Sequence, residues 1–334
     1  MSLSRLARAC ARTVFAILLV AAPLWAGQTI PSARVSGQVV TPNGSQLVNL
    51  VMSLTSRDGA VSGPVGTPSL RPDGRFAFAN VPAGRYQLRV RAQTEKSDEV
   101  LCAAYVVDVS GEDIPDILLT LRPGARLEGQ VLVDSRRAAK APPLNTLRVR
   151  ARFSDGSVFG DMVGTVGANG TFTVNGVMSG AHQVVVDGLP SPWVVKSVLL
   201  RGSDIIDRHL DVNVAERIRD IRVTISDESS IVRGVVRTAS GEVAARTGVL
   251  VFSQVPLFWM RTNRRMRVAY TDANGHFTVE GLPAGEYVAL ALASVDEGDL
   301  GRPDRLRAFQ AEGVRFRLDS DGAQADVKLQ VIPR

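Results

Sequence analysis

The chain carries little that would let it cross-link itself, and little of the chemistry enzymes use. Its 334 residues include two cysteines and three histidines. Cys10 precedes an apolar run near the N-terminus, and Cys102 lies beside Ala103 and Ala104. Once the N-terminal segment is removed a single thiol remains, so no internal disulfide can form and apolar cores must hold the fold. Cys102 reads as a buried free thiol, with an intermolecular bridge as the alternative. His182, His209 and His276 are scattered, and none opens an H-x-x-E or H-E-x-x-H pattern. A zinc peptidase needs two imidazoles and a carboxylate at close quarters, so no metal site is expected. There is no G-x-S-x-G elbow and no G-x-x-x-x-G-K phosphate loop. The acids Glu112, Asp113 and Asp116, like Asp296, Glu297 and Asp299, lack calcium-loop spacing and read as solvated loops. With no site constellation, the chain is expected to be no enzyme and to need no cofactor.

Aromatic residues are also scarce, at 5%. No long stretch holds a helical period, although Asp207 to Ile218 has room for a turn or two. What is plentiful is glycine (30) and proline (17) within a chain that is 45% hydrophobic, a mixture suited to short strands and tight turns.

Residues 1–26 read as a signal peptide. Arg5, Arg8 and Arg12 precede the apolar run Thr13 to Ala22, and cleavage is expected after Ala26. A membrane span needs about 20 apolar residues, more than this run offers. Leu24 is large for the −3 position, so an uncleaved anchor is the competing reading, and only then would the chain contact a membrane. The expected location is periplasmic, cell-envelope or extracellular. Without the three leader arginines the formal charge of +6 falls to +3, too mild for a nucleic-acid partner.

A motif then recurs three times in fixed register. Asp73-Gly74-Arg75-Phe76 leads to Val81-Pro82-Ala83-Gly84-Arg85-Tyr86. Asn169-Gly170-Thr171-Phe172 leads to Val177-Met178-Ser179-Gly180-Ala181-His182. Asn274-Gly275-His276-Phe277 leads to Leu282-Pro283-Ala284-Gly285-Glu286-Tyr287. Asp-Gly and Asn-Gly supply the positive φ of a hairpin turn, and the Phe two residues on points inward. Upstream of each motif lies an opening strand with its own glycine: Gly37, Gly129 and Gly234. Each unit closes on an alternating strand, around Ile117, Ile221 and Val327. One apolar and one polar face mark a half-buried strand of an antiparallel sandwich. The expected architecture is all-β: three tandem antiparallel Greek-key β-sandwiches over 33–122, 125–228 and 231–334. The joints near Arg122-Pro123-Gly124 and Asp227-Glu228-Ser229-Ser230 are short, which predicts a semi-rigid string.

The opening glycine, the DGRF/NGHF turn and the PAGxY corner resemble carboxypeptidase regulatory-like domains, within the transthyretin-like, CnaB-like and starch-binding-like sandwiches. The second unit departs, with Met178-Ser179 at the corner and His182 for the tyrosine. The resemblance implies a prealbumin-like fold and an accessory, non-catalytic role. CnaB-like adhesin domains often carry a Lys–Asn isopeptide bond with the Lys in the first strand. Here the opening strands carry Gln38, Gln130 and Arg233, so no such bond is expected.

One segment stands apart, running from Leu257 through Phe258, Trp259, Arg261, Arg264 and Arg265 to Arg267. Trp and Arg are favoured at binding hot spots, and Arg forks grip carboxylates and phosphates. Phe258, Trp259, Arg261, Arg264 and Arg265, with Trp193, are therefore the candidate ligand-binding residues. The alternative is that the aromatics cap the sandwich, with Trp193 packed at a joint. An exported interaction or scaffold module is expected, its partners proteins or polysaccharide of the cell envelope. Carbohydrate binding and service to a separate exported enzyme are the two alternatives.

Overall fold

Three glycines set how the strands meet. Gly37, Gly129 and Gly234 lie within the opening strands Ser32–Val40, Ala125–Asp134 and Ile231–Arg237. Each opening strand pairs antiparallel with the strand that follows the DG or NG turn, placing the glycine opposite Phe76, Phe172 or Phe277. Its other edge pairs in parallel with the closing strand, opposite Ile117, Ile221 or Val327. There the closing strand's carbonyl comes so near that an added Cβ would lie 2.0, 2.1 and 2.1 Å from the oxygens of Ile117, Ile221 and Val327. The rings of Phe172 and Phe277 fill the remaining space, 2.7 and 2.5 Å from the same notional Cβ. An aromatic ring over a strand glycine restores the packing that the missing side chain forfeits.

The computed structural model describes residues 32–332 apart from 58–63, 96, 138, 156–158, 160–161, 260–262, 297 and 301. The expected signal peptide lies outside the described residues. In the first sandwich, Ser69–Leu70, Arg75–Pro82, Ser32–Val40 and Ile114–Thr120 form one sheet. Leu47–Ser56, Gly84–Thr94, Ser97–Val109 and Arg122–Pro123 form the other, and Leu54, Phe78, Tyr86 and Leu88 are buried between them. The second sandwich sets Thr171–Val177, Ala125–Asp134, Arg217–Ser226, Val194–Leu200 and Ser203–Asp204 against Val163–Thr165, Arg148–Phe153, Gly180–Asp187 and Leu210–Val212. In the third, the last strand, Gln324–Ile332, pairs with both Ile231–Arg237 and Gly285–Leu292, joining the two faces into one seven-stranded sheet.

The fold is all-β, as the repeats imply. It departs from purely antiparallel pairing where the closing strand meets the opening strand in every sandwich, and in the third also where Gln324–Ile332 meets Gly285–Leu292. The chain leaves the opening strand, builds the opposite sheet, and returns on the far edge of the opening strand in the same direction. That return makes the pair parallel. A second departure is a helix, Pro303–Glu312, which begins on a proline at its first turn and stops before Gly313. It buries Leu306 and Phe309 with Phe252, Val288 and Leu290 on the outer face of the third sandwich. Two buried residues one turn apart are too short a period to read from sequence. The stretch Asp207 to Ile218 holds turns and the strand Leu210–Val212, not the helical turns expected there.

The other repeated residues have equally local jobs. Gly74, Gly170 and Gly275 take φ of 81, 83 and 74°, the left-handed turn geometry that favours glycine. Their carbonyls accept the N–H of Val39, Val131 and Val236 at 2.9, 2.8 and 2.9 Å, so each turn is tied to its opening strand. At the corner, the Tyr86 and Tyr287 hydroxyls donate to the carbonyls of Pro82 and Pro283 at 2.9 and 2.7 Å. The tyrosine thus satisfies the backbone of its own corner, and burial pushes the Tyr287 phenol up to about 12. His182 holds that position in the second sandwich but meets a different carbonyl, with Nδ1 3.0 Å from the Gly180 oxygen two residues back and its ring on Phe153. Burial lowers its pKa, which favours the neutral imidazole. Cys102 is a buried free thiol, as the sequence implies, and burial raises it to about 11. It belongs to the core of the second sandwich although its strand pairs within the first.

Two substitutions test these roles. Gly234→Ala places a methyl group against the Val327 backbone and is expected to cost about 3 kcal/mol, measured by chemical denaturation. Unchanged stability would show that the closing strand can retreat. Tyr287→Phe strands the Pro283 carbonyl in the core and is expected to cost about 1–2 kcal/mol. No change in melting temperature would mean that water reaches that carbonyl.

Candidate functional site

The long segment after the strand Gly248–Ser253 turns through a single 3-10 turn, Pro256–Phe258, in which proline supplies the preset first φ. The next residue, Trp259, is 3% exposed. Its indole N–H donates to the Ser253 carbonyl at 2.7 Å, and its ring meets Phe252 edge-on at 5.9 Å. It shares a buried cluster with Leu306 and Phe309 of the helix. Trp193 is 4% exposed and donates to the Lys140 carbonyl at 3.2 Å. Neither indole therefore offers an open face to a sugar ring: of the two readings open in the sequence, the structure has both indoles packed and not stacked on carbohydrate. The physical reason is that each indole N–H finds a backbone carbonyl inside the fold, and Trp259 packs with a helix that the sequence does not announce.

The arginines behave differently. Arg264 grips Asp207 of the second sandwich in a two-pronged pair, Nε to Oδ1 at 2.9 Å and Nη2 to Oδ2 at 3.0 Å. Arg265 adds Nε and Nη2 to the same Oδ2 at 3.3 and 3.2 Å. Its Nη1 reaches the Ala284 carbonyl at 2.9 Å, and its guanidinium lies over the Phe258 ring at 4.6 Å. The Asp207 side chain is 16% exposed. Burial alone would raise its pKa, but the two guanidinium groups outweigh that and hold it low. The structure thus brings Phe258, Arg264 and Arg265 together as an ionic lock between two sandwiches. Arg261 lies outside the described residues.

Beside the lock an open cleft of about 300 Å³ runs between the second and third sandwiches. Val184, Val186, Trp193 and Val195 form an apolar wall, and Arg152, Arg264 and Arg267 bring charge to it. Arg264 is committed to Asp207. Arg152 and Arg267 are half-buried, and neither meets a carboxylate among the described residues. Burial holds the Arg267 guanidinium below its usual pKa, Tyr287 offsets part of that, and Arg264 deepens it.

The remaining joints are polar seams that pattern alone does not reveal, because their partners are far apart in sequence. Asp227 is fully buried. Its carboxylate accepts the N–H groups of Arg136, Arg137 and Ala139 at 2.6, 3.0 and 3.0 Å, and the Ser135 hydroxyl at 2.8 Å. Burial would raise its pKa, yet these donors hold it at about 2. Arg137 continues into the third sandwich, donating to the Gly322 carbonyl at 2.6 Å. At the first joint, Arg89 of the first sandwich pairs with Asp155 of the second at 2.6 Å and lies over the Phe153 ring at 4.2 Å. The one signal available in sequence was the arginine density after Trp259.

Among the described residues no group of three His, Cys, Asp or Glu is placed to hold a metal ion. No helix of the described residues is long and apolar enough to cross a membrane.

No family profile matches the sequence, and no curated protein matches it. Solved structures give faint likenesses. The Bacillus anthracis TIE protein is 11% identical at a TM-score of 0.22, over 91% of this chain and 51% of that one. The chain therefore spans about half the length of that protein. A streptococcal ancillary pilin is 12% identical at 0.23, over 91% of this chain and 100% of that one. BcpA, the major pilin subunit of Bacillus cereus, is 10% identical at 0.22, over 89% of this chain and 98% of that one. Scores this low carry no inference about activity or partner.

Asp207→Ala leaves two half-buried arginines without their carboxylate, at an expected cost of about 3 kcal/mol to the third sandwich and its joint. The pH dependence has a definite sign. Asp207 has a depressed folded-state pKa, so its contribution is complete above the ordinary aspartate value near 3.9 and is lost as pH falls through the lower folded value. Calorimetry of wild type and variant should show the gap between them closing in acid. A gap that is constant down to the acid transition would assign the effect to packing instead.

Proposed function

We propose that the chain is an exported, non-catalytic scaffold or interaction module of the cell envelope. The finer family reading, carboxypeptidase regulatory-like, is supported by the opening glycine, the DGRF/NGHF turn and the PAGxY corner, each with a defined structural role. The observation that carries the functional reading is the set of ionic contacts across both joints, largely buried at the second and with an exposed carboxylate at the first. Arg89 with Asp155, and Arg264 and Arg265 with Asp207, fix neighbouring sandwiches to one another. A guanidinium forked onto a carboxylate fixes direction as well as distance, and Arg264 on Asp207 does so at the second joint, while Arg89 ties the first through Nη2 to Asp155. A chain of sandwiches with oriented joints suits a spacer that presents its surface at a set geometry, with other envelope proteins as partners. The indole version of carbohydrate binding is set aside by the burial of Trp193 and Trp259.

Small-angle scattering of the purified chain, beside a variant carrying Arg89→Gln and Asp207→Ala, tests this. The wild type is expected to fit a single arrangement and the variant a broadened ensemble. A wild-type chain that already scatters as freely jointed domains would sink the rigid-scaffold reading. Retention on envelope polysaccharide in the same preparation would redirect it to carbohydrate binding through a face other than the two indoles.

A further inference from the structure

The three sandwiches differ at one strand edge. In the first, Gly84–Thr94 is covered along its length by Ser97–Val109. In the third, Gly285–Leu292 is covered at Gly285–Ala289 by Val314–Leu318 and at Ala291–Leu292 by Gln324–Ile332. In the second, the matching strand Gly180–Asp187 is covered only from Gly180 to His182, by Leu210–Val212. The next strand in the chain, Val194–Leu200, pairs instead with Arg217–Ser226 in the opposite sheet. No described strand lies beside residues 183–187 on that edge. The Ala181 carbonyl is taken by the Ser154 N–H on the other side at 2.9 Å. Alternation along the strand therefore turns the N–H and C=O of Val184 and Val186 toward the uncovered edge. That edge is a wall of the 300 Å³ cleft, whose rim carries Arg152 and Arg267.

An open ladder edge, an apolar wall and two arginines without a carboxylate are complementary to one kind of occupant. We propose that this cleft is a strand-acceptor site, taking an extended acidic segment of a partner protein as an added strand beside Gly180–Asp187. Backbone groups of Val184 and Val186 would extend the ladder, apolar side chains of the segment would rest on the half-buried Val184 and Val195, and its carboxylate would meet Arg152 and Arg267. Main-chain pairing supplies the affinity in such additions, and the side-chain pockets supply the choice of partner. This deepens the interaction reading above and rests on the joint between the second and third sandwiches, since Arg152 and Arg267 come from different sides of it.

The test uses the purified chain and a blocked six-residue peptide of alternating valine and threonine with one central glutamate. Fluorescence anisotropy should show binding that weakens about tenfold when glutamine replaces the glutamate. A variant carrying Arg152→Gln and Arg267→Gln should lose that preference while keeping its melting temperature. The same peptide N-methylated at alternate residues should fail to bind, and hydrogen exchange at the Val184 and Val186 amides should slow with the unmodified peptide. No binding at millimolar peptide, equal binding of the N-methylated form, or an undiminished glutamate preference in the arginine variant would overturn the proposal. Self-association of the chain that the peptide competes away would also overturn it, making a second copy the occupant. Scattering from the unliganded chain reads the rigid-scaffold proposal separately: a single arrangement with no peptide binding sinks the acceptor site alone, whereas freely jointed scattering sinks the rigid scaffold.

Discussion

Close approach of two backbones at a residue without a side chain is the constraint on which the rest of this structure depends. In each sandwich the closing strand lies in parallel beside the opening strand, with its carbonyl where a Cβ would be. Only glycine admits that approach, and the turn Phe packs against the same glycine from the other strand. The closing strand can then complete the sheet, and the apolar side chains between the two sheets are buried. The turn glycine and the corner tyrosine serve the same end. One ties the hairpin back to the opening strand, and the other satisfies the carbonyl at which the chain changes sheets.

The joints rest on a different balance. Apolar contact contributes at the first joint, where Cys102 enters the neighbouring core and a side chain on Gly176 would collide with Val100. Orientation there and at the second joint comes from arginines that reach carboxylates or carbonyls of the next sandwich. Such pairs add little where water surrounds them, but they set direction where burial leaves no alternative partner. Asp207 receives two guanidinium groups, whereas Asp227 receives backbone donors that draw the segment after the opening strand against the end of the closing strand. The uncovered edge of the second sandwich adjoins the first of these locks. Its cleft is lined by Arg264, the same side chain that holds the joint.

Much of this was legible in the order of residues, because the decisive features are local. Glycine ten positions after glycine, Phe two after the turn and alternation along each strand are properties of short segments, and they specify hairpins and an all-β sandwich. Departures arose where a distant partner decided the outcome. Trp193 and Trp259 could in sequence either bind or pack, and each is drawn inward by one carbonyl and one cluster. The helix Pro303–Glu312 buries too few residues to leave a period. The parallel pairing of opening and closing strands spans about 80 to 100 positions, from Gly37 to Ile117 and from Gly234 to Val327.

The sequence by itself determined the repeated unit, the turn chemistry, the absence of a disulfide framework and the placing of arginine density after Trp259. These follow from backbone stereochemistry and side-chain inventory, which need no knowledge of neighbours. Only the tertiary structure decided that those arginines face Asp207 and that both indoles are buried. It also decided that, among the described residues, no strand covers one edge of the second sandwich. Each is a choice among partners of similar chemistry, and that choice is made by which surfaces the folded sheets bring within a few ångströms of one another.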